Sequence, residues 1–524
     1  MPETTTIGVR VTAAGLPRHD PLDLYVRLRD FLPEQDVFLF ESMAGADQDR
    51  RSAVVGFGRL AEIRVFDGHI DLDGAPAVTR ALAAAAEGAG LTVDRTAEDG
   101  SEVGAGSESK SKSGSGSGSG VRRLRFATPD LLWEALAAAQ RVFAVESTVP
   151  TTAYAFGFLT SLAYESAWLM ESLPARTVAP RVPDMTLTLF QETVWYDLAT
   201  GGVRRLRAES PEFPAPAAGV DVGTLAAEAA GAARSAPEAP VPEAPVPLSV
   251  RDSVSREKFL GWAERCLAHI GVGDIYQIQI GHRLDVRSAL TPVEVYRRLR
   301  HRNPSPYMFL MPRAGSTLIG ASPELFFRIE GGEITMRPIA GTARRGPDEE
   351  ENQRRIKEMQ ESTKERAEHI MLVDLCRNDI GRLATPSTQP VDRLMAVEGF
   401  SHVFHLVSTV SGRLEAGVDA WRAVRATFPA GTMTGAPKVR AMEIIDELEE
   451  ERRGSYAGAV GLVDVRGWSE LALCIRTVEY DGETYSTQSS AGMVAQSEPA
   501  AEWRETLAKM GAAYWALTGE ELQS

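Results

Sequence analysis

The sequence contains few cysteines, and no two of them lie close together. Only Cys266, Cys376 and Cys474 occur among 524 residues, and none belongs to a CxxC motif. A disulfide framework needs numerous cysteines, and structural zinc sites need closely spaced pairs of ligands, so both are disfavoured. We expect three reduced and mostly buried thiols.

The sequence also lacks a long apolar run and an excess of basic residues. No stretch of about 18 consecutive apolar residues occurs, and the opening MPETTTIGVRVTAAG has no signal-peptide pattern. Lysine and arginine number 56 against 72 aspartate and glutamate, which gives a net charge of −16. These absences predict a cytoplasmic protein that binds neither membranes nor nucleic acid, so an anionic ligand would need a local site.

Two segments of biased composition divide the chain. Residues 96–120 are rich in glycine and serine and poor in apolar residues, which predicts a disordered insertion. Residues 210–248 are rich in proline and alanine and are predicted to be a linker. The rest is predicted to form a β-rich N-terminal region at 1–95, its continuation at 121–209, and a region of helices and strands at 249–524.

The pattern after residue 249 predicts an α+β fold. Several predicted strands follow one another directly, so large, mostly antiparallel sheets covered by helices are expected. The predicted helices are 256–271, 292–300, 352–378, 420–426, 439–451 and 499–518. The predicted strands are 275–284, 307–311, 316–321, 325–330, 333–338, 456–465 and 471–480.

Two of the predicted helices carry glutamates on one face. Glu365 and Glu368 are three residues apart, and Glu502, Glu505 and Lys509 share a face near the C-terminus. They are either solvated acidic faces or a Mg²⁺ site. Mg²⁺ keeps several waters and binds through a few carboxylates together with an anionic substrate.

Three single residues are further candidates, each with an ordinary structural alternative. His405 lies among apolar residues, where it is either a core histidine or a general acid or base. Arg476 could bind a carboxylate through two hydrogen bonds or form a structural ion pair. Glu324, in GASPE, could equally be a helix cap or a surface charge.

The turn GTMTGAPK at residues 431–438 resembles a phosphate loop only superficially. Ala436 and Pro437 separate its last glycine from Lys438, and proline offers no backbone N–H. We therefore interpret the turn as a site for an anion other than a nucleotide phosphate.

An ordered set of motifs points to one family. The set is GDIYQIQI, NPSPYMF, GASPE, RPIAGTARRG, AEHIMLVDLCRNDIGR, SHVFHLVSTV, PAGTMTGAPKVRAMEIIDELE, RRGSYAGAVG, CIRT and a closing ExxExxxK. It resembles the chorismate-utilising enzymes over about residues 250–517, and most closely anthranilate synthase component I. The N-terminal FLFES is similar to an element of the tryptophan feedback site in that family.

The resemblance implies Mg²⁺-dependent amination of chorismate at C2 with ammonia, followed by elimination of pyruvate to give anthranilate. Glu324 would protonate the departing 4-hydroxyl, His405 would assist the loss of pyruvate, and Thr432 would donate to the substrate. Lys438 would fix the turn. The implied metal ligands are Glu368 and Glu505, with Glu365 and Glu502 beside them.

Two further sets of residues follow from the resemblance. The implied substrate contacts are Ala340, Gly341, Thr342, Thr432, Tyr456, Arg476, Ala491, Gly492 and Lys509. The implied tryptophan feedback site comprises Glu41, Ser42, Asn303, Pro304, Ser305, Tyr307 and Met308, which makes tryptophan a possible inhibitor.

Certain positions discriminate between reactions within the family. Gln277 stands where enzymes that add water have a lysine, and Ala340 stands where aminodeoxychorismate synthases usually have a nucleophilic lysine. Both favour ammonia as the direct nucleophile. Gly281 and His282 replace the usual serine and polar residue on the same strand.

Two other departures leave alternatives open: Ser490 replaces a glycine and Gln496 an aspartate. The first alternative is a 2-amino-2-deoxyisochorismate synthase that retains the enolpyruvyl group. Aminodeoxychorismate synthase component I and an inactive chorismate- or tryptophan-binding regulatory protein are the others.

The source of ammonia must lie outside this chain. Glutamine amidotransferases use a cysteine on a sharp GxCxG-like turn, and none of the three cysteines has that context. We expect a separate glutamine amidotransferase subunit and an oligomeric enzyme.

Overall fold

A computed structural model of the chain describes residues 6–94, 121–175, 182–216, 219–235, 241–386 and 391–523. The predicted insertion at 96–120 lies outside the described residues. No helix in the described ranges is long and apolar enough to cross a membrane.

The first part of the chain supplies ten strands and four helices to the described structure. The strands are β1 (Ile7–Gly15), β2 (Val37–Glu41), β3 (Ser52–Phe66), β4 (His69–Gly74), β5 (Thr92–Val93), β6 (Arg122–Arg125), β7 (Phe143–Ser147), β8 (Gly157–Leu162), β9 (Met185–Asp197) and β10 (Val203–Glu209). The helices are α1 (Pro21–Arg29), α2 (Pro76–Gly88), α3 (Pro129–Arg141) and α4 (Val222–Ser235).

The second part supplies the remaining elements. Its strands are β11 (Ser249–Asp252), β12 (Gln277–Arg287), β13 (Tyr307–Arg313), β14 (Ser316–Ser322), β15 (Leu325–Glu330), β16 (Glu333–Met336), β17 (Ile339–Arg344), β18 (Val391–Gly399), β19 (Val403–Arg413), β20 (Gly435–Ala436), β21 (Ala459–Asp464), β22 (Ser469–Leu473), β23 (Thr477–Tyr480) and β24 (Tyr485–Met493). Its helices are α5 (Arg256–Gly271), α6 (Pro292–Arg302), α7 (Glu349–Glu361), α8 (Thr363–Gly381), α9 (Ala420–Thr427), α10 (Lys438–Leu448) and α11 (Pro499–Thr518).

The strands form two long series of paired neighbours. One runs β3, β2, β13, β14, β23, β24, β12 and β11. The other runs β9, β8, β21, β22, β15, β16 and β19, with β17 and β18 also paired to β19. The named strand pairs of the described structure are antiparallel except β1 with β7. This confirms the predicted α+β fold with large, mostly antiparallel sheets.

Apolar side chains from both series meet in one core cluster between them. Phe309 and Leu318 come from the first series, and Val460 and Leu462 from the second. The outer face of the first series is covered by α5, α10 and α11, where Phe259 and other apolar residues form another cluster. Burial of apolar area, worth about 25 cal/mol per Å², stabilises this packing. The pairing of β3 with β9 also joins the two series directly.

Several elements differ from the sequence-based predictions. The predicted helix at 352–378 is divided into α7 and α8, because Ser362 is extended and its side chain accepts a hydrogen bond from the Glu365 N–H as an N-cap. The predicted strand at 471–480 is interrupted at Arg476, whose φ is +49°. The strands β17, β18, β19 and β24 were not predicted.

The segment predicted as a linker at 210–248 contains helix α4. Its Val222 and Leu225 are buried in a cluster that also contains Leu24 and Leu28 of α1. Alanine has the highest helix propensity, so the alanine-rich stretch forms a helix over α4, where no proline interrupts it.

Candidate active site

The predicted catalytic residues come from separate elements and meet in one pocket. Glu324 lies between β14 and β15, and its carboxyl interacts electrostatically with Arg476 and Lys509. His405 of β19 interacts with the same two cations. The structure therefore brings together residues that are far apart in the sequence.

Glu324 is buried and holds a proton at neutral pH. Burial raises the pKa of its carboxyl to about 8, although the neighbouring Thr432 and the two cations oppose that shift. A buried carboxyl in this state can donate a proton to a leaving group.

His405 is neutral and presents one free ring nitrogen. Its Nδ1 lies 2.9 Å from the carbonyl oxygen of Gly341, which can only accept, so Nδ1 carries the proton. Its Nε2 is buried and has no hydrogen-bond partner in the described part of the chain. Burial lowers the pKa of the imidazole to about 4. The ring can therefore accept a proton at Nε2 but does not supply one at neutral pH.

Several polar groups in the pocket have no partner in good geometry among the described residues. The guanidinium of Arg476 makes no hydrogen bond or ion pair with the described residues, and burial lowers its pKa. The hydroxyl of Thr432 is buried beside Glu324 without a hydrogen bond in good geometry, and both amide atoms of Gln277 are also buried and unpaired. Leaving one such group unpaired costs about 1–3 kcal/mol. The pocket is therefore organised for a polar, anionic ligand.

Lys509 is already held by the protein. Its Nζ donates to the carbonyl of Ser490 at 2.9 Å and pairs with Glu505 at 2.7 Å. Its charge remains close to Tyr456 and Arg476. The predicted substrate contacts thus include two cations, of which Arg476 alone lacks an internal partner among the described residues.

The strand β24 lines the pocket opposite β12. Gly492 is paired with Gln279, and a Cβ atom at Gly492 would lie 2.9 Å from Gln279 Nε2. Its neighbour Ala491 is fully buried. The hydroxyl of Ser490 lies 2.6 Å from Tyr456 Oη and donates to Gln279 Oε1 at 2.9 Å.

The predicted contacts on β17 lie at a bulge beside helix α8. The pairing with β19 shifts between Ala340 and Thr342, and Gly341 has φ of +76°. A Cβ atom at Gly341 would lie 3.4 Å from Glu365 Oε2. Thr342 Oγ1 lies 3.2 Å from His405 Nδ1. The bulge therefore connects the histidine to the acidic helix.

The four predicted metal ligands interact with one another through their charges. Burial raises the pKa of Glu368 to about 7, with repulsion from Glu365 and Glu505 adding to the effect. Burial also raises the pKa of Glu502. In the described part of the chain, no three His, Cys, Asp or Glu side chains are arranged as a metal site. The carboxylates thus share one region without converging on a point.

Buried ion pairs fix the turn that contains Thr432. Lys438 Nζ lies 3.1 Å and 3.2 Å from the carboxylate oxygens of Asp379 and donates to the carbonyl of Thr427 at 3.0 Å. Arg453 donates to the carbonyls of Met433 and Gln279, both at 2.8 Å. The prediction that Lys438 fixes the turn is confirmed.

A partly open cavity lies at the predicted feedback site. Glu41, Ser42, Tyr307 and Met308 line it, together with aromatic side chains such as Trp195. The other three predicted residues, Asn303, Pro304 and Ser305, do not line this cavity in the described structure.

Internal hydrogen bonds occupy the polar groups of this cavity. Glu41 accepts from Tyr296 at 2.5 Å and from Arg300 at 2.8 Å. The Ser42 hydroxyl lies within hydrogen-bond distance of the carbonyls of Pro306 and Asp49. Tyr307 donates to the Asp49 carboxylate at 2.9 Å. The predicted feedback residues are therefore satisfied without a ligand.

Sequence analysis missed Gln279 as a pocket residue. Gln277 and Gln279 are two apart on β12, and residues at that spacing in a strand point to the same face. The alternation in QIQI could therefore have predicted that Gln279 lies on the same face as Gln277. The departure at Gln496 is exposed in the turn before α11, whereas Ser490 is in the pocket.

Comparisons with known proteins identify the family to which the chain is similar. The family model for chorismate binding enzymes matches residues 94–514. A 2-amino-4-deoxychorismate synthase from Streptomyces globisporus is 46% identical over 98% of both chains. Anthranilate synthase component 1 from Streptomyces coelicolor is 43% identical over 67% of this chain and 71% of its own.

A solved structure has the same fold. The crystal structure of anthranilate synthase component I from Streptococcus pneumoniae matches with a TM-score of 0.64 and 27% identity. The match covers 88% of this chain and 92% of the other. Because the family model spans most of the chain and the match to the S. globisporus relative spans nearly all of it, the protein belongs to the chorismate binding enzyme family and is a chorismate-utilising enzyme.

Proposed function

We propose that the protein aminates chorismate at C2 with ammonia and releases 2-amino-4-deoxychorismate. The observation that carries this proposal is the relative of that name, which aligns with this chain nearly end to end. The name specifies an amino group at C2 and no hydroxyl at C4 on an otherwise intact chorismate skeleton. This compound is also called 2-amino-2-deoxyisochorismate, the product expected from an enzyme that retains the enolpyruvyl group.

In the amination step a C2–N bond forms, the ring double bonds shift, and the C4–O bond breaks. Glu324 supplies the proton with which the hydroxyl leaves as water, since its pKa of about 8 keeps it protonated. The new ammonium group then returns one proton to the carboxylate or to solvent. A positioned acid of this kind contributes about 10²–10⁴-fold to the rate.

The pocket cations support binding of a dicarboxylate. Arg476 lacks an internal partner among the described residues, so its guanidinium is available for two parallel hydrogen bonds to a carboxylate. Lys509 adds a second positive charge nearby. The unpaired hydroxyl of Thr432, beside Glu324, would donate to the substrate.

Mg²⁺ belongs to this proposal, with Glu368 and Glu505 as ligands and Glu365 and Glu502 beside them. The donor set fits the ion, since the side chains of Glu365 and Glu368 have no hydrogen-bond or ion-pair partner among the described residues and repel Glu505, which is paired with Lys509. Mg²⁺ retains waters and needs only one or two carboxylates, so tight convergence of the side chains is not required. A bound ion would hold a substrate carboxylate and stabilise negative charge on it.

Ammonia is proposed to come from a separate glutamine amidotransferase subunit. Burial raises the pKa of the thiols of Cys266, Cys376 and Cys474. A glutaminase needs a reactive thiolate, which a buried thiol with a raised pKa does not provide. Free ammonia should replace the partner in vitro.

The geometry of His405 favours a second candidate, anthranilate synthase component I. There, the free Nε2 would remove the proton from C2 of the aminated intermediate. The C3–O bond would break, the ring would become aromatic, and the enolpyruvate would take a proton at its methylene carbon to leave as pyruvate. Both candidates share the amination step and differ only in this elimination.

The test is incubation of the purified protein with chorismate, Mg²⁺ and ammonium at mildly alkaline pH. Anthranilate fluorescence, pyruvate and the masses of the ring products are followed together. An amino product that retains the enolpyruvyl group is expected. Equal amounts of anthranilate and pyruvate would select the second candidate, and no consumption of chorismate would refute both.

A further inference from the structure

The hydroxyl of Ser490 lies between two pocket residues that a glycine at this position could not connect. The side chain is almost completely buried. Its Oγ lies 2.6 Å from the phenolic oxygen of Tyr456 and 2.9 Å from Oε1 of Gln279. A network this short and this buried holds its members in fixed orientations.

The opposite strand supports a specific role for this serine. Ser490 is paired directly with Gly281, so the two residues share one face of the sheet. A Cβ atom at Gly281 would lie 2.1 Å from the carbonyl oxygen of Ser489, so this backbone admits only glycine there. Of the two paired positions, only residue 490 can therefore supply a hydroxyl on this face.

The donors and acceptors in this network fix the direction of each hydrogen bond. The amide oxygen of Gln279 can only accept, so Ser490 donates its single proton to it. The phenol of Tyr456 must then donate to Ser490 Oγ. The proton of Tyr456 is consequently directed at Ser490 and not at the substrate.

The same network orients the amide of Gln279. With Oε1 bound to Ser490, Nε2 points towards Gly492, where a Cβ atom would lie only 2.9 Å away. The N–H groups of Gln279 thus face the space that the missing side chain of Gly492 leaves open. In this part of the pocket the free donor is therefore the amide of Gln279 and not the phenol of Tyr456.

The family resemblance implies that Tyr456 contacts the enolpyruvyl carboxylate of the substrate. We infer that Ser490 determines the product by transferring this hydrogen bond from Tyr456 to Gln279. This inference rests on the proposed function. Negative charge grows on the enolpyruvyl group as its C3–O bond breaks. A phenol is a stronger hydrogen-bond donor than an amide N–H, so the exchange stabilises the departing group less and slows elimination relative to product release.

The experiment measures elimination separately from amination. Wild type, Ser490→Ala and Ser490→Gly are each given chorismate with Mg²⁺ and ammonium, and separately the purified amino product. Both variants should convert the amino product to anthranilate and pyruvate about tenfold faster than wild type, as expected for one restored hydrogen bond to a charged group. The Tyr456→Phe change should cancel that gain when it is combined with Ser490→Ala.

Ser489→Ala is the matched control, because Ser489 is the buried neighbour on β24 and its hydroxyl has no partner. It should leave the product ratio unchanged, and thermal melting checks the folding of every variant. If wild type releases the amino product and neither Ser490 variant changes the elimination rate, the inference is wrong and the proposed function stands. If wild type releases only anthranilate and pyruvate, the proposed function fails and the inference fails with it.

Discussion

The active-site pocket and the cavity at the predicted feedback site differ in how their polar groups are satisfied. In the pocket, the Arg476 guanidinium and Nε2 of His405 have no hydrogen bond or ion pair with the described residues, and the Thr432 hydroxyl has no hydrogen bond in good geometry. In the cavity, Glu41 and Ser42 are bound to other parts of the protein. Unpaired buried polar groups reduce stability and persist where a ligand satisfies them, so the comparison identifies the pocket as the site prepared for a polar ligand.

Besides the strand pairs β2–β13 and β8–β21, ion pairs near the cavity join the N-terminal region to the rest of the chain. Arg337 is buried between Asp49, which follows β2, and Glu398 of β18. Glu398 is paired in register with His405. The ion pairs near the cavity therefore contribute to stability, whereas the unpaired polar groups of the pocket are available for substrate binding and chemistry.

Glu324→Gln should produce the largest effect on the pocket. Glutamine cannot protonate the leaving hydroxyl, so kcat for chorismate consumption should fall about 10²–10⁴-fold with the melting temperature nearly unchanged. Glu333→Gln, at an exposed position on β16, is the control and should retain wild-type rates. Equal rates for wild type and Glu324→Gln would remove Glu324 from the mechanism.

The wild-type rate, corrected for the fraction of free ammonia at each pH, should decline as the pH rises through about 8. Burial raises the pKa of Glu324 to that value, and the acid loses its proton above it. The measurement is the initial rate between pH 6.5 and about 9.5 in buffers of constant ionic strength. A corrected rate that stays level above pH 8 would contradict the assignment of Glu324 as the acid.

Arg337→Met should produce the largest effect on the cavity side. It leaves the carboxylates of Asp49 and Glu398 buried without their cation, which should lower the free energy of unfolding by about 3–5 kcal/mol. Arg393→Met, at an exposed position on β18, should change stability by less than about 0.5 kcal/mol. Chemical denaturation measures both, and equal stabilities would show that the ion pairs do not hold the regions together.

Arg476→Gly tests whether a pocket cation can be removed without loss of stability. The variant removes a half-buried cation that has no hydrogen bond or ion pair with the described residues and relieves a φ of +49°, so stability should be retained or increased by about 1 kcal/mol. The KM for chorismate should rise about 30-fold or more because a carboxylate loses its paired guanidinium. A clear loss of stability would mean that Arg476 is a structural residue.

Tryptophan should have the smallest effect. The predicted feedback residues Glu41, Ser42 and Tyr307 already form internal hydrogen bonds, so a ligand must break these before it gains its own. We expect initial rates with 1 mM tryptophan to stay within about twofold of those without it. Strong inhibition at that concentration would show that the internal hydrogen bonds of the cavity break at little cost in free energy.

Sequence alone predicted much of the fold and of the site in this protein. Helices α5 and α11 and strand β15 have the predicted bounds, because their apolar periodicity and capping residues are local properties. The motif set gave Glu324, His405 and Arg476 as candidates. Residue type and spacing, however, left each of these with a structural alternative of similar weight.

The tertiary structure adds the positions of these groups and shows which of them are hydrogen-bonded. Whether a buried polar atom has a partner depends on residues from distant segments, such as Gly341 for His405 or Asp379 for Lys438. The pairing of Gly281 with Ser490, and the resulting direction of the Tyr456 hydroxyl, likewise depends on strand register. The sequence determined which chemical groups are present. Long-range packing decided which of them remain free to act, because hydrogen-bond satisfaction is a property of the assembled core.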